Sequence, residues 1–329
     1  TSPDAPGEHV KPQVIRNYEG GDLELPGDPD QVIRVAEMPE LEKQIGNDLI
    51  TSDGTTLLGA DDKAGIAGIM EAVQRLVEQP DIPHGPIRIA FTPDEEVARG
   101  TERFDVEGFG AKVAYTLDGS ELGRIEKETF NAHSATFRLK GYNVHPGTAK
   151  DKMINSIYAA AEILTRLPED MRPETTEERQ GYIHPRGIQG GIDQTTIHLL
   201  IRDFDMEGSQ AKIKLLEEIR REVAERFPKT EITLEVTESY LNMGPKVDES
   251  PRIVDIAFEA CRAVGVDPFL KVIRGGTDGA RLSYMGVPTP NIFTGGYNFH
   301  SVREWASLQE MEKATQVVMK IAELWSQEA

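Results

Sequence analysis

The sequence has few of the features that mark secreted, membrane-bound or nucleic-acid-binding proteins. Cys261 is the single cysteine in 329 residues, so no internal disulfide forms and a reducing compartment, by default the cytoplasm, is expected. No apolar run approaches the roughly 20 residues of a membrane-spanning helix, and Thr1 to Gly7 have neither the basic nor the apolar region of a signal peptide. The 36 basic residues are outnumbered by 56 acidic ones, and a net charge of −20 repels phosphate backbones and anionic lipids. Nucleic acids and membranes are therefore excluded as expected partners.

The remaining composition is that of a folded protein. Hydrophobic residues make up 38%, aromatic residues 6% and charged residues 28% of the chain, which leaves ample material for a core and excludes wholesale disorder. The length suggests two domains. The chain starts at Thr1 without an initiator Met, in a Pro/Gly-rich stretch typical of a loop, so we interpret the sequence as a fragment of a longer protein.

The first part of the chain has the pattern of an α/β domain. From Leu49 onward, short β-like runs alternate with helical ones, which is typical of a sheet covered by helices. Apolar residues three and four apart predict a helix over residues 61–79, and period-two runs predict strands at 86–92 and 112–117. We expect a catalytic domain with a mostly parallel sheet, whose first part spans residues 1–129.

Residues 130–241 have a pattern of their own and are predicted to form an inserted, smaller α/β sandwich that acts as a lid or dimerisation domain. Strands and helices alternate there as β-α-β-α-β, over 132–139, 153–167, 195–203, 209–227 and 231–236. Residues 169–193 lack an apolar face and are predicted to be a long exposed loop. The catalytic domain resumes over 242–329 with a helix, a Gly-rich run, a strand and a C-terminal helix, predicted at 253–264, 274–281, 287–293 and from Leu308 to Trp325.

Acidic residues lie at or just after the C-terminal ends of the predicted strands. Asp61-Asp62 alone is more typical of a helix N-terminus than of a binding site. However, Glu95 and Glu96 follow one predicted strand and Asp118 ends another, so in a mostly parallel sheet all gather at the carboxyl edge, where ligands bind. Such a group of carboxylates repels itself unless a cation lies among them. The sequence therefore predicts a metal site.

The kind of metal depends on a histidine far along the chain. Oxygen ligands alone favour magnesium or calcium, whereas a contribution from His300 favours zinc or manganese. A single histidine in a Gly/Asn/aromatic loop is also typical of a residue that only hydrogen-bonds within the loop, so the residue types leave both interpretations open.

Taken together, these segments resemble the zinc-dependent metallopeptidase family that includes carboxypeptidase G and the aminoacylases, and within it the tripeptide aminopeptidases. The resemblance covers essentially the whole chain and depends on six strings: Asp53-Gly-Thr-Thr-Leu-Leu-Gly-Ala-Asp-Asp-Lys-Ala-Gly65, Phe91-Thr-Pro-Asp-Glu-Glu96, Asn143-Val-His-Pro-Gly-Thr-Ala-Lys150, Ile201-Arg-Asp-Phe-Asp205, Arg274-Gly-Gly-Thr-Asp-Gly-Ala-Arg281 and Thr294-Gly-Gly-Tyr-Asn-Phe-His300.

The resemblance implies two zinc ions per chain and a role for each matching residue. Asp61 matches the carboxylate that bridges both ions, Glu96 and His300 match ligands of one ion, and Asp118 matches a ligand of the other. Glu95 matches the general base, and the peptide bond between Asp61 and Asp62 is expected to be cis.

Four residues are expected to act on the substrate. By resemblance, His145 stabilises the oxyanion, within its own chain or across a homodimer. On its own it is typical of a turn histidine. Arg202, Arg274 and Arg281 either bind the peptide carboxylate or pair with nearby acids, and the sequence leaves both roles open. Asp278 is given no role beyond turn geometry.

One part of the family pattern is missing. In the family a zinc-binding histidine in a His-x-Asp string precedes Thr-Ser-Pro-Asp, which here is Thr1–Asp4. By the same comparison, upstream strands and a helix of the sheet are absent, so exposed sheet edge and apolar surface are expected. The leading hypothesis is a cytoplasmic aminopeptidase of tripeptides. The alternatives are an N-acyl amino acid amidohydrolase or dipeptidase, and a catalytically silent binding protein on the same fold.

Overall fold

A computed structural model of the chain describes residues 5–328 and divides them into two units. Unit 1 consists of residues 5–127, Met243–Lys271 and 277–328. Unit 2 consists of Glu128–Asn242 together with Val272–Gly276, so one short segment after the inserted region also packs with it. The string Thr1–Asp4, on which the comparison with the His-x-Asp pattern depends, lies outside the described residues.

The first part of unit 1 contains six short strands and two helices. They are β1 (Gln13–Ile15), β2 (Leu23–Glu24), β3 (Val32–Ile33), β4 (Leu49–Thr51), α1 (Ala60–Glu78), α2 (Val106–Phe109), β5 (Thr116–Gly119) and β6 (Arg124–Glu126). Helix α1 is the helix predicted at 61–79, and β5 is the second predicted strand, shifted toward Asp118. Short 3-10 helices lie at Pro39–Gln44 and Glu95–Val97.

The strand predicted at 86–92 does not form. Residues 83–92 have no regular structure, and Ile87, Ile89 and Phe91, the side chains that gave the period-two pattern, are exposed. A strand requires a neighbour for its backbone N–H and C=O groups, and no strand among residues 5–328 pairs with this segment. Ile66, Met70 and Val77 on helix α1 are exposed as well, so unit 1 presents the apolar surface that the sequence predicts.

Unit 2 is an antiparallel sheet with two long helices. Its elements are β7 (Asn131–Lys140), α3 (Ser156–Thr165), β8 (Tyr182–Gly190), β9 (Gln194–Asp203), α4 (Met206–Arg226) and β10 (Glu231–Tyr240), with 3-10 turns at Pro146–Thr148, Glu169–Met171 and Pro173–Thr175. The strand order is β10-β7-β9-β8. Alternate residues of β7 and β9, such as Phe137 and Ile197, are buried with residues of both helices in one core.

The predicted loop at 169–193 is wrong in its second half, where strand β8 pairs with β9. This strand lies at the edge of the sheet and contains Pro185 at an irregularity in the register. Most of its side chains are exposed, so it lacks the apolar alternation by which sequence reasoning finds strands.

The second part of unit 1 contains the remaining elements. They are α5 (Gly244–Asp248), α6 (Arg252–Ala263), β11 (Phe269–Leu270), α7 (Asp278–Tyr284), β12 (Asn291–Phe293), β13 (Gly296–Tyr297), β14 (Trp305–Ser307) and α8 (Leu308–Ser326). The strand predicted at 287–293 is limited to its last three residues, and the two predicted helices are α6 and α8.

Two four-stranded sheets form the framework of unit 1. One has the order β11-β6-β12-β5, with β12 parallel to β5 and antiparallel to β6. The other, β1-β4-β14-β13, is antiparallel throughout. The α/β class predicted from the sequence is confirmed, and strands of both directions occur in the sheet that carries Asp118.

Helix α1 lies directly against strand β5. Gly65 faces the carbonyl oxygen of Leu117 so closely that a Cβ atom there would overlap it, and glycine therefore allows the approach. This packing places the start of α1 beside the end of β5, where Asp61 and Asp118 lie. Among residues 5–328, no helix combines the length and the hydropathy needed to cross a bilayer.

Candidate metal centre

Three residues far apart in the chain bring ligand atoms together in unit 1. Asp61, Glu96 and His300 each contribute an atom to a group in which all lie within 4.8 Å of one another. The Nε2 atom of His300 lies 2.8 Å from Oδ2 of Asp61 and 3.1 Å from Oε2 of Glu96. His300 has a left-handed backbone, with φ of 65°. This conformation is uncommon for a residue with a side chain and is frequent at functional sites.

A second group shares Asp61 with the first. Oxygen atoms of Asp61, Asp62 and Asp118 also lie within 4.8 Å of one another. One carboxylate thus belongs to two adjacent clusters, which is the arrangement required of a residue that bridges two ions. Asp62 is an addition to the sequence prediction, which assigned no metal role to it.

The local backbone structure explains why the side chains of these three aspartates lie close together. Asp118 is at the end of β5, and its backbone N–H donates to the side-chain oxygen of Asn291 on β12 at 3.0 Å. Asp61 and Asp62 begin α1 with backbone angles that are not helical, and the peptide bond between them is cis, as the resemblance implies. The carboxylate of Asp62 accepts the N–H of Gly65 at 3.2 Å, as a capping residue does.

Asp62, Asp118 and Glu96 have raised pKa values because each is buried close to other carboxyl groups of the site. Burial and the charge of Asp61 raise the pKa of Asp62 to about 8. Burial, followed by the charges of Asp62 and Asp61, raises the pKa of Asp118 well above its usual range, and burial also raises that of Glu96. Like charges held this close favour proton or cation binding, and a divalent cation relieves the repulsion directly.

Glu95 lies beside the cluster in the 3-10 turn that also carries Glu96. Burial, followed by the charge of Asp278, raises its pKa to about 7, while the backbone N–H of Asp278 opposes that shift. Because the ideal pKa of a general base lies near the working pH, Glu95 has the protonation behaviour of a residue that takes and returns protons.

Three of the predicted substrate-binding residues belong to unit 2. His145 is exposed, and its Nδ1 accepts the N–H of Gly147 at 3.1 Å. Arg202 donates to the carbonyl oxygens of Ile201 and His133 and lies over the ring of Tyr240.

Arg274, the third of these residues, is engaged by one loop of unit 2. It donates to backbone oxygens of Thr176, Glu178 and Gln180 and to the Thr176 hydroxyl, and it lies over the rings of Phe130 and Tyr182. The partners found for Arg274 are therefore loop carbonyls, one hydroxyl and two aromatic rings, and no acidic side chain is among them. Arg281 belongs to helix α7 of unit 1, where its charge lowers the pKa of Asp278 against the larger, opposite effect of burial.

Sequence reasoning missed three acidic residues around the cluster. Asp62 is in it, Asp278 faces Glu95, and Glu304 accepts hydrogen bonds from the backbone of Gly59 and Asp61. Asp62 was indicated by its position beside Asp61 but was attributed to the helix N-terminus. Glu304 had no signal in the sequence, because its partners are backbone amides more than 240 residues earlier.

Comparisons with known proteins show the family to which this chain belongs. The family model described as "Peptidase family M20/M25/M40" matches residues 53–324. "Peptidase T" of Geobacillus sp. strain WCH70 is 49% identical over 329 residues, which cover all of this chain and 80% of that protein. "Peptidase T" of Citrobacter koseri is 50% identical over 325 residues, covering 98% of this chain and 79% of the relative.

Solved structures give the same result. The aminopeptidase PepT of Bacillus cereus matches with a TM-score of 0.72 and 28% identity over 84% of this chain and 74% of its own. A tripeptidase of Staphylococcus aureus matches with a TM-score of 0.76 and 25% identity, over 85% and 74%. At 17% identity and a TM-score of 0.62, a Bacillus subtilis protein described as a dinuclear metal binding peptidase supports the fold alone; it covers 81% of this chain and 72% of its own. This chain therefore belongs to peptidase family M20/M25/M40, and it is a hydrolase.

Proposed function

We propose that this chain is a dinuclear zinc aminopeptidase that removes the N-terminal residue of tripeptides. The observation that carries the proposal is the meeting of Asp61, Glu96 and His300, drawn from three distant segments, beside Glu95 with its pKa of about 7. The tripeptide substrate is supported by relatives named "Peptidase T" at 49–50% identity and by the similar fold of a tripeptidase.

The donor atoms fit zinc. Imidazole nitrogen and carboxylate oxygen are its usual ligands besides thiolate, and the single cysteine, Cys261, is buried in a separate apolar core. Asp61, Glu96 and His300 would hold one ion. Asp61 and Asp118 would hold the other, with Asp62 within reach of the same position. Zinc bound there would polarise the substrate carbonyl and lower the pKa of a water molecule.

The protein residues then divide the remaining work. Glu96 commits its charge to the metal, whereas Glu95, its neighbour in the same turn, takes a proton from the attacking water and returns it to the leaving amine. Burial of Glu95 beside Asp278 raises its pKa in the metal-free chain, which makes this carboxylate a better proton acceptor than an ordinary glutamate.

His145 suits stabilisation of the oxyanion. Since its Nδ1 accepts a hydrogen bond from Gly147, the neutral ring carries its proton on Nε2, which is then available as a donor. Of the three arginines, Arg202 and Arg281 are proposed to bind the substrate carboxylate. The several loop oxygens around Arg274 favour a role in holding residues 176–180.

Steady-state kinetics on three substrate classes test the proposal. With zinc supplied, kcat/KM is expected to be highest for an unblocked tripeptide, lower for dipeptides and lowest for N-acyl amino acids. A preference for the acyl substrates would instead identify an amidohydrolase, and zinc binding without turnover of any substrate would identify a binding protein.

Glu95→Gln is the matched test of the mechanism. Because glutamine cannot accept the water's proton but has nearly the same shape, kcat should fall by about 10²–10⁴-fold. Zinc content, measured by elemental analysis, should stay within experimental error of the unmodified protein. Turnover that survives the substitution would contradict the assignment of the base.

A further inference from the structure

The carboxylate of Glu304 lies under the turn that carries Asp61. The residue directly precedes strand β14, and it is 1% exposed. Its Oε2 accepts the backbone N–H of Gly59 at 2.6 Å, and its Oε1 accepts the backbone N–H of Asp61 at 2.9 Å. Both oxygens are therefore used to hold the main chain at the start of α1.

This turn needs such a partner because helical hydrogen bonding does not hold it. Gly59 has a left-handed backbone with φ of 72°, and Asp61 and Asp62 have angles outside the helical range. The first N–H groups of a helix have no partner within the helix, and a buried N–H without an acceptor is costly. Gly59 has no side chain with which to cap the helix. The carboxylate of the distant Glu304 accepts the N–H groups of Gly59 and Asp61 instead.

The same residue connects the segments that carry two of the ligands, Asp61 and His300. Glu304 follows His300 by four residues, and the next residue, Trp305, pairs with Thr51 in the antiparallel sheet of unit 1. The carboxylate thus attaches the backbone of Asp61 to the loop that carries His300, whose Nε2 lies 2.8 Å from the Asp61 carboxylate. Movement of either segment alone would break the hydrogen bonds from Gly59 and Asp61 to the Glu304 carboxylate.

We propose that Glu304 is a positioning residue that fixes Asp61 relative to His300 at the separation one metal ion requires. Because both of its oxygens accept backbone N–H groups, we do not assign it as a metal ligand. This inference builds on the proposed function, because it assigns the two residues to a common ion. Residues that orient metal ligands from behind contribute about 10–100-fold to metal affinity.

The alternative is a purely structural role, and Glu310 provides the matched control for it. Glu310 is also a buried glutamate of unit 1, 6% exposed, and it accepts hydrogen bonds from Gln44 at 2.7 Å and Tyr297 at 2.7 Å. It has no hydrogen bond to the backbone of Asp61. Glutamine has nearly the shape of glutamate but puts an NH₂ group where a donor already points, so both variants keep their packing and lose comparable hydrogen bonding.

The experiment compares zinc affinity in Glu304→Gln, Glu310→Gln and the unmodified chain, by competition with a chromophoric chelator. The free energy of unfolding in excess chelator is measured alongside. We expect Glu304→Gln to lose at least tenfold in zinc affinity and Glu310→Gln less than threefold, with similar losses of metal-free stability. Equal zinc affinity in the two variants would overturn the inference while leaving the metal site intact.

Two further measurements keep the inference separate from the proposed function. If the unmodified chain binds no zinc, the proposed function fails. In that case, hydrogen exchange of the backbone amides of residues 59–61, measured in chelator, tests whether Glu304 holds the turn. Faster exchange in Glu304→Gln but not in Glu310→Gln supports this role, and equal exchange in the two variants overturns it.

If Glu304→Gln does not fold, Glu304→Asp replaces it. That variant keeps the charge but is too short to reach both amides, and it is expected to show the same selective loss of zinc affinity; affinity equal to that of Glu310→Gln would overturn the inference.

Discussion

The crowded carboxylates predict that the metal-free protein becomes less stable as the pH rises. Asp62 and Glu95 have pKa values of about 8 and about 7 in the folded chain, against ordinary values near 3.8 and 4.5. The folded state therefore holds more protons than the unfolded state across the intervening range. The stability that these two groups contribute is fully present below their ordinary values and is lost as the pH rises toward 7 to 8.

The magnitude follows from the number of groups. One group that is protonated only in the folded state lowers the free energy of unfolding by about 1.4 kcal/mol for each pH unit, so the two together lower it by about 3 kcal/mol between pH 5.5 and 6.5. This is a large share of the roughly 5–15 kcal/mol that stabilises an ordinary domain. Zinc removes the effect because it binds the ionised carboxylates.

Urea denaturation in excess chelator at pH 5.5, 6.0 and 6.5 measures this dependence. Burial also raises the pKa of Glu126, Glu304 and Glu310, and of Asp118, Glu96 and Asp278 beside the cluster, and all six groups remain in a variant changed only at Asp62 and Glu95. The quantity to compare is therefore the difference in slope between the unmodified chain and Asp62→Asn/Glu95→Gln. The double variant should have a slope shallower by about 3 kcal/mol per pH unit. Equal slopes, or stability that rises with pH, would refute the view that these acids are forced together.

Three other predictions address the substrate-binding residues and the core of unit 2. His145→Ala should lower kcat by about 10²–10³-fold, as the loss of an oxyanion donor does, with zinc content unchanged; a change in KM alone would contradict the role. Arg274→Ala should speed proteolytic cleavage within residues 176–180, as followed by mass spectrometry, because the loop loses the donors that hold it; an unchanged cleavage rate would count against this assignment. Phe137→Ala, at a fully buried position between the unit 2 sheet and its helices, should cost about 3–5 kcal/mol in the free energy of unfolding measured in urea, and a loss below 1 kcal/mol would contradict the packing.

The fold was predictable from sequence where burial follows a regular period. Helices α1, α4 and α6 and strands β7 and β9 each bury one face, so their apolar residues recur at the spacing of the element. Strand β8 has an almost entirely exposed pattern, and the strands before β4 are two or three residues long, too short for a period. The prediction of a strand at 86–92 was wrong for the opposite reason. This segment has the period-two apolar pattern of a strand, but among the described residues no strand pairs with it.

The same contrast applies to the candidate site. Asp61, Glu96, Asp118 and His300 were found because their local strings resemble a known family, and the structure brings their side chains into two adjacent groups. Glu304 accepts backbone N–H groups of distant residues, and the backbone N–H of Asp278 donates to the side chain of Glu95; neither contact leaves a mark on the sequence near its partners. The order of the carboxylates along the chain was visible, whereas the groups that hold them in place required coordinates.

The most direct test is anomalous X-ray diffraction at the zinc absorption edge, from crystals grown with zinc. The account predicts one peak bounded by Asp61, Glu96 and His300 and a second beside Asp61 and Asp118, with the carboxyl group of Glu95 next to them. A map with no peak among these side chains, or with zinc bound only elsewhere, would contradict it.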